Sequence, residues 1–521
     1  MVHLTAVHHS DDSGHEAASS QPATASLLRL SSEADSFATS VYGSRFAGED
    51  LPRDRMPEDQ MPPAVAYRMI KDDLSLDNNP RLNLASFVTT YMEDEAERLM
   101  TEAMAKNFID YEQYPQSADI QARCVNMIGD LFHAPSGSAV GTSAVGSSEA
   151  IMLAVLAMKR RWAAARRAAG KSADAPNLVM SSAVQVCWEK ATRYFEIEER
   201  FVFCAPDRFV VDPGLMVDLC DENTIGCVLI LGTTYTGHYE DVAAVSDLLL
   251  ARGVDVPIHV DAASGGFVAP FVVPDLAWDF RCEKVVSINV SGHKYGLVYP
   301  GIGWVVWRAP EFLPRELVFN IDYLGAQQSS FTLNFSKGAS GVIGQYYQLV
   351  RLGRRGYRAI MSNLVRTADY LADALAGQGF VIMSERGGGG GVPLVAFRFA
   401  DDDDDAARYY DEFDLAHQLR SRGWVVPAYT MAPRTDGLKM LRVVVREDFS
   451  RGLCDTLIAD VRLCVGVLQQ TDRDTLKRQR DYVRTHLVAA ARHRHARHHP
   501  HHYKNEKHSL QGTTGKTHAA C

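Results

Sequence analysis

Between Leu82 and Leu352, apolar runs of four to six residues alternate with longer segments in which apolar positions recur every three or four residues. That rhythm predicts βα units and a mainly parallel sheet. Strands are expected at Asn177–Met180, Cys227–Leu231, Ile258–Val260 and Val285–Asn289. A long helix is expected at Glu149–Ala169, where Ile151, Leu153, Ala154, Ala157 and Met158 share one face and Lys and Arg gather at the C-terminal end, matching the macrodipole. Beyond Arg358 the pattern changes to a helix at Leu364–Ala376, strands at Val392–Phe399 and Lys439–Val445, and a closing helix at Leu453–Gln469. This predicts a second, smaller α+β domain. Residues 1 to about 60 show little periodicity and predict a flexible arm with one short helix at Glu33–Tyr42. The expected organisation is therefore an N-terminal arm with a short helix (1–80), a large domain (81–360), a small C-terminal domain (361–469) and a basic, His-rich, disordered tail (470–521).

Composition narrows the function classes. With 54 Lys+Arg against 64 Asp+Glu the net charge is −10, so bulk nucleic-acid binding is disfavoured. No apolar run is long enough to span a membrane, and the N-terminal stretch lacks the apolar core of a secretory signal and the arginine-rich balance of a transit peptide. Nine cysteines with no CxxC pair suit a reducing compartment, and the cytoplasm is the expected location. The acidic run Asp401–Asp405 reads as a solvated loop, and no metal site is expected. The glycines at 387–391 lack the following helix and Lys/Ser of a phosphate loop.

The chemistry gathers at the ends of the expected strands. Gln185 follows the first, Thr233 and Thr234 the second, Asp261 ends the third, and Ser291, His293 and Lys294 follow the fourth. Parallel pairing brings all four ends to one edge, where open α/β sheets bind ligands. Upstream, Gly141 to Glu149 places small hydroxyl residues just before a helix, whose exposed N–H groups and positive dipole end hold phosphate. Each feature alone is commonplace, since a Gly/Ser loop usually caps, a strand-end Asp usually turns and a loop Lys is usually solvated. Together they supply what pyridoxal phosphate needs: a phosphate cradle, an acid for the pyridine nitrogen and an amine that condenses with the aldehyde.

The runs Ser287–Leu297 (SINVSGHKYGL), His259–Phe267 (HVDAASGGF), Gly146–Ala150 (GSSEA) and Tyr114–Ser117 (YPQS) resemble those of the glutamate decarboxylases, in the group II family of pyridoxal-phosphate-dependent decarboxylases. The likeness covers roughly residues 65–465. It implies an α/β fold of the aspartate aminotransferase type I, the pyridoxal-phosphate-dependent transferase fold, and α-decarboxylation of L-glutamate to 4-aminobutanoate and carbon dioxide through an external aldimine. In such enzymes Ser147 and Ser148 would bind the cofactor phosphate, Lys294 would form the Schiff base and Asp261 would pair with the ring nitrogen. Gln185 would cover the ring face, Thr234 would touch the cofactor, and Ser291 and His293 would complete its surroundings. Ser336 matches a serine lent to the phosphate by a neighbouring subunit, which implies a homo-oligomer, dimer or hexamer.

Glutamate carries two carboxylates and so demands two anion sites. Arg442 lies inside the apolar strand Met440–Val445, a costly place unless its fork meets a carboxylate; the other reading is an edge-strand arginine facing water. The resemblance assigns the distal carboxylate to Ser86, Phe87, Asn107 and Asp110, with one carboxyl of the Asp110 pair protonated at acidic pH. Two rival functions share these residues: another pyridoxal-phosphate enzyme, such as an aspartate decarboxylase, a carbon–sulfur lyase or an aminotransferase, and a catalytically silent binding protein that kept the fold. The basic amphipathic pattern at Thr475–Arg497 has three readings: a calmodulin target, as some members of the family carry, a disordered extension, or a histidine-rich metal or proton sensor.

Overall fold

The structure, a computed structural model, describes residues 52–135, 140–323, 326–401 and 408–482. The helix expected at Glu33–Tyr42, most of the acidic run and the tail beyond Tyr482 lie outside them. The chain divides into two compact units, Met1–Asn78 and Asn79–Cys521. The described part of the first holds helix α1, Pro63–Leu74, entered through a proline whose missing N–H costs nothing there.

The second unit is built on a seven-stranded sheet of order β1-β7-β6-β5-β4-β2-β3. Its strands are β1 Val140–Ala144, β2 Asn177–Ser181, β3 Glu198–Val202, β4 Thr224–Ile230, β5 Ile258–Asp261, β6 Val285–Val290 and β7 Gly303–Trp307. The run β3-β2-β4-β5-β6 is parallel, and β7 joins β6 to β1 by antiparallel pairing. Every residue of β2, β4, β5, β6 and β7 is buried. A sheet covered on both faces reads as continuous apolar runs, which is why β2, β4, β5 and β6 were visible in the sequence, whereas β7 was not expected. The four expected strands are all present, and their parallel pairing sets their C-terminal ends along one edge.

Helix α2, Ser147–Ala168, follows β1 and ends in Arg166 and Arg167. It starts two residues before the expected position, so Ser147 and Ser148 belong to its first turn. Helix α3, Val186–Tyr194, is capped by the Gln185 side chain, which accepts from Cys187 N–H at 2.7 Å.

The helix expected at Leu364–Ala376 is only the end of a longer one. Helix α4 runs from Ser340 to Ala376 and bends at Gly353, whose φ of 56° a side chain would resist. Its first half was hidden because two glutamines face the core there. Gln345 accepts from Trp304 Nε1 and donates to Gly296 O, and Gln348 donates to Leu297 O, so this half clamps the loop after Lys294. After β7, strands β8 Phe319–Tyr323 and β9 Ala326–Ser330 pair in a two-stranded ribbon, and beyond α4 stands a four-stranded antiparallel sheet of order β10-β11-β13-β12. Its strands are β10 Phe380–Ile382, β11 Leu394–Phe399, β12 Ala428–Thr430 and β13 Lys439–Val444. Helices α5 Glu412–Ser421 and α6 Arg451–Gln470 accompany it, and α7 Arg473–Tyr482 follows. Among the described residues no helix is long and apolar enough to cross a membrane.

Candidate active site

A cavity of about 570 Å³ opens at the C-terminal edge of the parallel strands. It is lined by Ser147 and Ser148 from the first turn of α2, Gln185 before α3, Thr234 after β4, Asp261 at the end of β5, and Ser291, His293 and Lys294 after β6. Ser86, Phe87 and Arg442 complete the wall. Eleven of the fourteen residues expected from sequence therefore meet in one space. Asn107, Asp110 and Ser336 do not line it. They form a separate group in which Asn107 Oδ1 accepts from Lys337 N–H at 2.9 Å and its amide lies 3.5 Å from Ser336 Oγ. Asp110 is buried nearby in sequence and accepts from Gln113 N–H at 3.2 Å.

The phosphate end is shaped by close backbone approach. A Cβ on Gly303 would fall 2.6 Å from the Gly146 carbonyl carbon, so β7 presses directly on the loop entering α2. No side chain caps the start of α2, which leaves its first N–H groups facing the cavity beside the Ser147 hydroxyl, itself 2.6 Å from Ser291 Oγ. The His293 ring packs against Gly146, and a Cβ there would sit 3.0 Å from His293 Cε1. Burial, reinforced by Lys294, pushes His293 down to about 4, so the ring is neutral, and its buried Nδ1 has no protein partner.

Asp261 is 5% exposed, and its carboxylate accepts three hydrogen bonds from the protein, which leaves one acceptor position on Oδ2. Trp188 Nε1 donates to Oδ2 at 2.7 Å, while Asn289 Nδ2 at 3.0 Å and Ala263 N–H at 3.1 Å donate to Oδ1. The Lys294 amine donates to Ser264 Oγ at 3.3 Å and sits 5.2 Å over the Phe87 ring. Burial lowers its pKa, Asp261 and Cys187 pull the other way, and Arg442 adds to the lowering. An amine shifted down holds more of the neutral, nucleophilic form. Its backbone is pinned from the Phe87 side, because Thr89 bonds to the carbonyls of His293 and Lys294.

Arg442 settles the two readings left by its sequence position: it is 1% exposed and turned inward. Its guanidinium donates to the carbonyls of Thr234 and Ala85 and to the Tyr429 hydroxyl, and stacks 5.1 Å from the Phe87 ring and 5.0 Å from the Tyr429 ring. Every one of these partners is neutral, and Nε is buried with none. A buried cation so held favours an anion in the cavity.

These observations meet the demands of pyridoxal phosphate. The unpartnered His293 Nδ1, the uncapped helix start and the side-chain-free Gly146 fit its phosphate end, and Asp261 and Lys294 face the same space. Sequence reasoning missed Trp188, His259, Asn289, Ser264 and Tyr429. The alternations His259-x-Asp261 and Ser287-x-Asn289, which place each pair on one face of its strand, were the available signal for two of them.

Fold and cavity together define a pyridoxal-phosphate enzyme of the α/β class. Residues 57–400 match the Pyridoxal-dependent decarboxylase conserved domain, and the chain belongs to that family. It is 52% identical over 443 residues to a glutamate decarboxylase of Petunia hybrida, covering 84% of this chain and 87% of that one. It is 52% identical over 452 residues to glutamate decarboxylase 1 of Arabidopsis thaliana, covering 85% and 88%. Among solved structures, the glutamate decarboxylase of Lactobacillus brevis CGMCC 1306 superposes with a TM-score of 0.79 at 42% identity, over 83% of this chain and 98% of that one.

Proposed function

We propose that this chain removes the α-carboxyl group of L-glutamate as carbon dioxide and releases 4-aminobutanoate. The observation that carries the substrate reading is Arg442, a buried cation with only neutral partners, in the same cavity as Lys294 and Asp261. Relatives 52% identical are glutamate decarboxylases, which supports the choice of amino acid. Pyridoxal phosphate, when bound, supplies an aldehyde for the substrate amine and a ring that accepts the electrons released as the carboxylate leaves.

The chain's own residues do the rest. Ser147, Ser148, Ser291 and the start of α2 would hold the phosphate, with His293 beside them, while Gln185 and Thr234 would contact the ring and Asp261 would keep its nitrogen protonated. Arg442 clamps a substrate carboxylate, and Phe87 separates that clamp from the Lys294 amine while Ser86 offers a hydroxyl to the substrate. By fixing that carboxylate, Arg442 would decide which bond at the α-carbon is aligned to break. Lys294 then delivers a proton to the α-carbon, and burial keeps bulk water from competing.

Asn107, Asp110 and Ser336 stand apart from this chain's cavity, and Ser336 is exposed. The exposure of Ser336 supports its delivery to the cavity of a second copy, so the active form is at least a dimer. The cytoplasm as location and calmodulin as a partner of the tail belong to this reading too.

Incubation with L-glutamate and pyridoxal phosphate tests it: 4-aminobutanoate and carbon dioxide should appear in equal amounts. Formation of 2-oxoglutarate alone points to transamination, and decarboxylation of aspartate in preference to glutamate to a shorter substrate.

A further inference from the structure

Strands β5 and β6 pair in register, with His259 opposite Ser287 and Asp261 opposite Asn289. Because side chains alternate along a strand, these four polar groups share one face of the sheet, while Val260 and Ile288 pack into the core from the other. His259, Ser287 and Asn289 are fully buried. Three polar residues with no exposure in the central strands of a parallel sheet are costly unless each is satisfied.

They are satisfied in series. Ser287 Oγ lies 2.7 Å from His259 Nδ1, His259 Nε2 lies 2.7 Å from Asn289 Oδ1, and Asn289 Nδ2 donates to Asp261 Oδ1 at 3.0 Å. Donor chemistry fixes the direction. An ionised carboxylate only accepts, so Asn289 must turn its NH₂ to Asp261 and its oxygen to His259. That oxygen needs a donor, so His259 carries its proton on Nε2. Burial pushes this imidazole down to about 4, which keeps it neutral, and its Nδ1 must then accept from the Ser287 hydroxyl. The Trp188 indole, edge-on to the His259 ring at 5.4 Å between centroids, donates to the other oxygen of Asp261.

We propose that Ser287, His259 and Asn289 form a one-way hydrogen-bond relay which, together with Trp188, orients Asp261 toward the ring nitrogen of pyridoxal phosphate and sets how tightly that cofactor is held. The proposal rests on the reading of Asp261 as the partner of that nitrogen. The three are positioning residues, acting only through Asp261. Each bond in the series polarises the next, so the influence of a member falls with its distance from the carboxylate. Asp261 fixes which way the Asn289 amide points, and with His259 replaced by an apolar residue the Asn289 oxygen is left buried without its donor.

The test titrates full-length cofactor-free protein with pyridoxal phosphate. It reads the dissociation constant and the pH midpoint of the bound cofactor's visible absorbance, with thermal unfolding of the cofactor-free chain as a folding control. Asn289→Leu should raise the dissociation constant roughly ten- to a hundred-fold, the loss of one hydrogen bond to a charged group. His259→Leu should raise it by roughly ten-fold and Ser287→Ala by about two-fold, as more distant members of a polarised series. The absorbance midpoint should move in the same rank order. His259→Gln, whose amide offers both an acceptor and a donor, should recover part of the loss. The double variant His259→Leu/Asn289→Leu should bind no worse than Asn289→Leu, because a series broken near its end gains nothing from a second break.

Additive losses in the double variant overturn the relay, as does a dissociation constant and midpoint unchanged in both His259→Leu and Ser287→Ala. If Asn289→Leu or His259→Leu does not fold, Ser287→Ala and His259→Gln still give the comparison. Asp261→Asn separates the two layers. If it abolishes tight binding while the relay variants are silent, the relay is wrong and the reading of Asp261 stands. If Asp261→Asn itself leaves binding and absorbance unchanged, the reading of Asp261 falls and the relay with it.

Discussion

Two buried charges face one cavity and are treated in opposite ways. Asp261, on the parallel sheet, accepts from Trp188, Asn289 and Ala263. Arg442, on the antiparallel sheet, donates to two carbonyls and a hydroxyl and keeps Nε without a partner. The carboxylate accepts three hydrogen bonds and has the Lys294 amine as an opposite charge nearby before any ligand arrives. The guanidinium is under-compensated and waits for one. A resident cofactor calls for a permanent counter-group, whereas a substrate that comes and goes is held by a cation whose best partner it brings along.

The largest effect belongs to the residue between them. Lys294→Ala should lower turnover by about four orders of magnitude, in line with losses on removing a covalent-catalysis residue. Absorbance spectra should show the yellow protein-bound chromophore gone, and a coloured, active variant would contradict the assignment. Next, Asp261→Leu strands the Trp188, Asn289 and Ala263 donors and should destabilise the cofactor-free chain by about 3 kcal/mol or more, measured by urea unfolding. Arg442→Met should cost much less. It removes a buried cation that has no acidic partner, which offsets the stranding of the Thr234 and Ala85 carbonyls. The cofactor-free chain should therefore change in stability by no more than about 1 kcal/mol, while the thermal stabilisation conferred by glutarate, a dicarboxylate without the reacting amine, is abolished. If both substitutions destabilise equally, the contrast fails.

The smallest effect is on pH. His259 and His293 fall to about 4 through burial, so the unfolded chain binds more protons between about 4 and their ordinary 6.5. Their contribution is complete above 6.5 and is lost as the pH drops. Glu240, buried beneath β4 and accepting from Ile230 N–H at 2.7 Å, is raised by burial to about 7, so its contribution is present below its ordinary value of 4.5 and is lost as pH rises to 7. Each histidine alone contributes a slope of about 1.4 kcal/mol per pH unit between 6.5 and 4.5, which Glu240 opposes. Unfolding of the cofactor-free chain across that range measures it. Glu240→Gln should steepen the acid-side loss by about 1 kcal/mol per pH unit, and an unaltered slope would show that this carboxyl does not titrate there.

Most of the cavity was legible because its residues sit where local rules put them. Buried parallel strands announce themselves as apolar runs, their ends carry the polar groups, and hydroxyl residues at the start of α2 mark a helix N-terminus. Two features escaped that logic. The first half of α4 was obscured by Gln345 and Gln348, whose burial serves the loop after Lys294 and breaks the apolar stripe. Asn107 and Asp110 were grouped with Ser86 and Phe87 by resemblance alone, and nothing local indicates that Asn107 meets Ser336, far along the chain.

Alternation and capping along the chain sufficed to place Asp261 at a strand end, Lys294 in the following loop and Ser147 on a helix start, because each depends on neighbours within a few residues. That Trp188 reaches Asp261, that Arg442 turns inward to the carbonyls of Ala85 and Thr234, and that His259 aligns with Ser287 and Asn289 came from packing. Those contacts join segments distant in the chain. They depend on strand order and register, which the burial of whole faces selects and no single segment encodes.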